Sequence, residues 1–238
     1  MGDNQDAVHE RTLGARIAAA YVQAGFTTEA FARAVEVSVE TVHAWQDFED
    51  VPSLIALGDI ANRLHISKRA LCFGPREFTE GKHGEPNLSR EAISALLIEL
   101  DTSADARSAF ENHRRCVAPD HVYTRTFVAT FVQAWQTMRR AGSDSRTAQE
   151  RAMVIATQTN ALAKAVAQGA RPIRPHQITK PPAGLGHKAG IDHIAAEIHR
   201  LSGLKPPIDP EVLAVANGLR LVPTYGDTGS GSDPSTST

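Results

Sequence analysis

Cysteine is nearly absent: Cys72 and Cys116 stand far apart, without metal-type spacing. That pattern fits a reduced, cytoplasmic protein. Aromatic residues make up only 5% of the chain. No apolar run approaches the roughly 20 residues needed to span a bilayer, so no membrane partner is expected. The opening MGDNQDAVHE is acidic and polar, unlike a signal peptide. Gly2 has no second anchor signal to support lipidation. A net charge of -2 gives no global basic character of the kind that advertises nucleic acid. β-branched runs are short and alanine is abundant, which favours helices over strands. The expected fold is therefore mainly α.

What the chain does have is a dense run of helical signals between Leu13 and Phe73. A first helix is predicted from about Thr12 to Gln23, with Leu13, Ile17, Ala20 and Tyr21 at helical spacing and Gly25 ending it. Thr27 or Thr28 can cap a second helix that turns Ala30, Phe31 and Ala34 inward. Val35-Glu36-Val37 then forms a turn, and Ser38 caps a third helix with Val42 and Trp45 on its core face. Ser53 caps a fourth helix bearing Leu57, Ile60, Ala61 and Leu64. Ser67 caps a short fifth helix with Leu71 and Phe73.

This pattern resembles the Cro/CI-type (XRE) helix-turn-helix family of transcriptional regulators. The resemblance is carried by Leu13-Gly14-x-Arg16-Ile17, Gly25-Phe26-Thr27, Phe31-Ala32, Val37-Ser38, Thr41-Val42, Ala44-Trp45, Pro52-Ser53, Ile60-Ala61, Leu64 and Ile66-Ser67, over about a quarter of the chain. It implies a five-helix domain whose third helix lies in the major groove while the second touches the DNA backbone. By position, Ser38, Val39, Glu40, Thr41 and Ala44 would form the reading surface, with Arg16 and Thr28 as backbone contacts. Thr28 stands where the family commonly has Gln, and Gln46 where it commonly has Glu. Glu40 can only accept a hydrogen bond, for example from a cytosine amino group, and Val39 offers a thymine methyl only apolar contact. Residues 1–74 hold six basic against ten acidic side chains. Few phosphate contacts are then available unless a dimer doubles them. A scaffold of this kind that contacts protein instead, as an antitoxin-like module would, is the alternative expectation.

Residues 75–88 read as a linker, rich in glycine, proline and mixed charge. Beyond it, 89–170 is expected to be a helical, dimerising segment. Ile93, Leu96, Leu97 and Leu100 form a stripe behind a Ser89 cap, and a more polar helix runs from Ser103 to Val117. The strongest periodicity follows. Phe127, Phe131, Ala134 and Met138 line one face, widened by Val128, Val132 and Trp135, with Pro119 in the first turn and Gly142 at the end. Ser145 can cap a partner helix whose Ala148, Ala152, Ile155, Thr159, Leu162 and Val166 repeat every three or four residues. The two read as a long antiparallel pair. Residues 87–180 carry 13 basic against eight acidic side chains. Most of these read as solvated helix faces, with a contact to the acidic first segment, in cis or across a dimer, as the other explanation.

Residues 171–190 read as a second, Pro/Gly-rich linker. Residues 191–223 predict a short helix, a Pro206-Pro207-Ile208-Asp209 turn, a helix from Pro210 to Ala216 and a strand from Leu219 to Val222. This stretch resembles the lead-in of ImmA/IrrE-type metallopeptidases at Ile194, Ala195, Ala196, Pro207, Ile208, Asp209, Leu213, Ala214, Gly218, Leu219 and Leu221. That family's His-Glu-x-x-His motif does not occur here. His193-x-x-x-Glu197-x-His199 leaves His199 rotated off the face shared by the other two. No enzyme activity, metal or cofactor is expected. Residues 1–10 and 224–238 are polar and expected to be disordered. Together the two resemblances imply a repressor-like regulator of double-stranded DNA, of a mobile-element or stress-response type, acting as a homodimer, with a metallopeptidase or other regulatory protein as a further partner.

Overall fold

The computed structural model describes residues 12–74, 87–116, 123–173 and 187–204, together with 177, 179 and 182. Among these residues every regular element is a helix: α1 Leu13–Gln23, α2 Thr28–Ala34, α3 Val39–Gln46, α4 Leu54–Leu64, α5 Lys68–Phe73, α6 Arg90–Glu99, α7 Ala104–Cys116, α8 Arg125–Arg140, α9 Ser145–Ala167 and α10 His187–Ser202. The chain is mainly α. None of these helices is long and apolar enough to cross a membrane.

Side-chain capping starts most of them. Thr12, Thr27, Ser38, Ser53, Ser67, Ser89 and Thr124 each accept a hydrogen bond from the backbone N–H three residues on. Each thereby satisfies one of the donors that a helix start leaves open. At α9 the cap is Asp144, not Ser145; its carboxylate accepts from the N–H groups of Arg146 and Thr147, both at 3.0 Å. Two adjacent polar residues compete there, and the carboxylate, which also accepts from the Thr147 hydroxyl, is the stronger acceptor. Similarly α8 begins at Arg125 behind Thr124. Pro119, the expected first-turn residue, lies outside the described residues, as do the helix at 210–216, the strand at 219–222, most of the first expected linker and half of the second, whose last residues from His187 onward already belong to α10.

Two apolar cores organise the described residues. The first gathers Leu13 and Ile17 of α1, Phe31 of α2, Val42 and Trp45 of α3, Leu54, Leu57 and Ile60 of α4, and Leu71 of α5. The second gathers Ile93 and Leu96 of α6, Phe110 of α7, Phe127, Phe131 and Trp135 of α8, and Met153 of α9. At 23 residues, α9 is about 35 Å long and serves both. Its first half, with Ala148, Ala152 and Ile155, lies in the second core, while Ala161, Leu162 and Ala165 lie in the first. Ala170 and Leu204 join the first core too, and the Arg171 N–H donates to the Ser202 carbonyl at 2.8 Å. The apolar C-terminal half of α9 thus joins the five N-terminal helices to the rest.

The expected stripe on α8 is broader than its periodicity suggested. Every residue from Thr126 to Trp135 is buried, including Thr130 and Gln133. A helix covered on all sides is a central element, not an amphipathic surface one. Its aromatic face is enclosed by the chain itself: Phe131 packs edge-on to Phe110 at 5.3 Å, and Phe127 to Tyr123 at 5.4 Å. A second copy of the chain would have to use another surface.

Candidate nucleic-acid interface

The turn between α2 and α3 is tight because the chain reverses at one residue. Val35 caps α2, and Glu36 takes φ 58°, in the left-handed region. The Val37 N–H then donates to the Ala32 carbonyl at 3.0 Å and the Glu36 N–H to Arg33 at 3.4 Å. This closes a Schellman-type end with a glutamate where glycine is usual. Ser38 follows directly as the cap of α3, accepting from the Thr41 N–H at 3.1 Å.

The rotation of α3 is fixed by its buried side. Val42 and Trp45 face the core, fully and nearly fully covered. Gly14 of α1 meets the Trp45 carbonyl, with no space between them for a Cβ. Tyr21 forms a hub. Its hydroxyl lies 3.1 Å from the Thr28 hydroxyl and accepts from Gln46 Nε2 at 2.8 Å, while its ring stacks on Phe31 at 4.6 Å. One phenol thereby connects α1, α2 and α3. Thr28 and Gln46, the two positions noted above as departures from the pattern the sequence resembles, thus meet on the same oxygen.

The expected site residues divide accordingly. Ser38 and Glu40 are exposed, and Thr41 and Ala44 half-buried. Val39 is half-buried and packs against the first core, so only part of it faces outward. Thr28 is half-buried at the tyrosine hub. Arg16 is held elsewhere: its guanidinium donates to the carbonyls of Leu71, at 2.6 Å, and Cys72, fastening the end of α5 to α1. The charge-assisted bonds make Arg16 a structural clamp. His43 lies outside the expected set but shares this exposed surface. It stands on α3 three residues after Glu40, a spacing that puts the two on one helix face.

Electrostatically the exposed face is acidic at both helix starts. Glu40 stays ionised below the usual carboxylate range because its own backbone N–H, and then the Ser38 hydroxyl, stabilise the anion. Glu29, at the start of α2, is lowered in the same way by its own N–H and by Thr27. The His43 imidazole adds to both effects. Each carboxylate thus sits at the positive end of a helix, where a phosphate could otherwise bind. Glu36 and Asp47 are exposed as well, and Arg33 and His43 are the nearby bases.

At the other end of the chain, Glu197 of α10 accepts from Arg200 Nε at 2.8 Å and from the Thr179 hydroxyl at 2.7 Å. These bonds hold it at a pKa of about 2, Arg200 being the larger cause. Among the described residues no group of three or more His, Cys, Asp or Glu is placed to hold a metal. Comparison with protein-family models, with curated proteins and with solved structures finds no match to this chain.

Proposed function

We propose that the chain is a sequence-specific DNA-binding regulator of the Cro/CI helix-turn-helix kind, with α3 as the reading helix. The observation that carries this reading is the α2–turn–α3 unit, whose third helix is capped, rotated by Val42 and Trp45, and outward-facing through Ser38, Glu40, Thr41, His43 and Ala44. Such a helix can enter a major groove with its N-terminal residues at the base edges. Glu40 would accept from a cytosine amino group. With few bases on this face, affinity would be low per copy and would require two copies on one site.

A second reading has its own observation. Glu29, Glu36, Glu40 and Asp47 outnumber Arg33 and His43 around the motif, which favours a basic protein surface over phosphate. A mobility-shift titration at low and moderate salt separates the two readings, using DNA from upstream of the protein's own gene and random DNA of equal length. The DNA reading expects a preferred fragment whose affinity falls with salt. Equal or undetectable binding of both fragments at either salt would discard it in favour of the protein-contact reading.

A further inference from the structure

The α3–α4 loop carries a residue that works against its own backbone. Phe48 adopts φ 60°, follows the α3 cap Asp47, and lets the Glu49 N–H donate to the Ala44 carbonyl at 2.8 Å. Its ring is buried, and it belongs to the second core, among side chains of α8 and α9. Phe48 therefore ties the end of α3 to the helical pair. A bulky residue in the left-handed region costs about 1–2 kcal/mol, and burial of the ring offsets that cost.

Beside Phe48 opens a cleft of about 640 Å³ between this loop and the α8–α9 pair. That volume is within the range of small-molecule sites. Phe48, Met138, Val154 and Ile155 supply apolar walls. Asp47 and Glu49 stand on the loop side and Arg151 on the α9 side, all three exposed. None of these three side chains forms an ion pair or hydrogen bond with the described residues. An apolar hollow lined by charges of both signs, none of them paired with a described residue, has the composition of a ligand site. We propose that this cleft binds a small zwitterion with an apolar body, its cationic group held by Asp47 and Glu49 and its anionic group by Arg151. Because Phe48 forms one wall, the ligand steadies the end of α3. Any consequence for DNA rests on the reading above, whereas the binding does not.

The test uses the full chain without DNA and three indole probes: tryptophan, which carries both charges, tryptamine, which lacks the carboxylate, and indole-3-propionate, which lacks the amine. Calorimetry should find saturable tryptophan binding about three- to tenfold tighter than either partner. Asp47→Asn with Glu49→Gln should lower tryptophan to the level of indole-3-propionate, and Arg151→Gln to that of tryptamine. Val154→Trp should fill the cleft and abolish binding, with circular dichroism confirming the fold. Hydrogen exchange of the α3 amides should slow when tryptophan is bound. Absence of saturable binding at millimolar tryptophan, equal affinity for all three probes, or an unchanged ranking in the charge variants would overturn the site. Saturable binding with unchanged α3 exchange would overturn its link to α3. A failed DNA shift would leave each of these readouts in place, so the two proposals fail separately.

Discussion

A Cβ placed on Gly14 would stand 2.1 Å from the carbonyl oxygen of Trp45. At that point α1 and α3 touch backbone to backbone, and the obstruction is a peptide oxygen that cannot rotate away. Gly14→Ala should therefore push α3 off α1 and cost about 2–4 kcal/mol, an overpacking penalty with loss of Trp45 burial. Urea unfolding checks it. A change within 0.5 kcal/mol, roughly the scale of a surface substitution, would mean that α3 is not seated on this contact.

Glu36 offers the opposite case. It is exposed and held at φ 58° by the turn between α2 and α3. Glu36→Gly removes the Cβ clash of that conformation, and the turn hydrogen bonds are backbone only. After allowing for glycine's freedom in the unfolded chain, stability should rise by about 0.5–1 kcal/mol. A lower melting temperature in the variant would show that Glu36 makes a favourable contact outweighing the strain.

At Phe48, two substitutions separate packing from strain. Phe48→Ala loses the buried ring, at about 3 kcal/mol, and keeps a Cβ at φ 60°. Phe48→Gly loses the same ring but relieves the backbone. The glycine variant should be the more stable of the two by about 1 kcal/mol, the reverse of the usual order of alanine and glycine. Parallel denaturant titrations read this, and alanine ahead of glycine would remove the backbone argument.

Acid titration should single out Glu197. Its folded pKa, about 2, lies below the ordinary value of 4.5 because Arg200 and Thr179 stabilise the anion. A depressed carboxylate contributes stability that is present above the unfolded pKa and is lost as pH falls through the folded one. The Glu197 contact should therefore persist at pH 4.5 and disappear towards pH 2. Carboxyl-carbon NMR in the folded protein reads the midpoint directly, and Arg200→Gln should move it back up. A midpoint near 4.5 in the unaltered chain would show that the contact is not made in solution.

Glu40 bears on the reading itself. Its carboxylate is exposed at the start of α3 and interacts with its own helix end. Glu40→Gln leaves the shape, removes the charge and adds a donor, so base preference under α3 should change, with roughly tenfold between the best sites of the two proteins. Binding-site selection with both proteins measures this. Identical preferences would place base reading elsewhere.

The chain's own chemistry determined its local structure. Ser and Thr ahead of each apolar repeat set where α1 to α6 begin, because a capping hydroxyl needs only its own backbone three residues on. The inward faces of α1, α3 and α4 were legible for the same reason: Ile17, Val42, Trp45, Leu57 and Ile60 recur at the helical period and are all buried. The exposed face of α3 was legible as the complement of the buried one. Where two acceptors adjoin, as at Asp144 and Ser145, periodicity could not choose between them.

Tertiary structure decided what each residue was for. Arg16 reads as a free base in sequence, yet it clamps carbonyls 55 and 56 residues away. Thr28 and Gln46 look like two separate departures and become one contact only when Tyr21 stands between them. Phe48 lies in an acidic loop with no repeat to mark it, and its burial depends on α8 and α9 arriving beside it. The uniform alanine-rich pattern of α9 gives no sign that its two halves serve different cores. A local signal extends over one helical turn, whereas these roles depend on contacts between residues far apart in the chain, which exist only once the helices have packed.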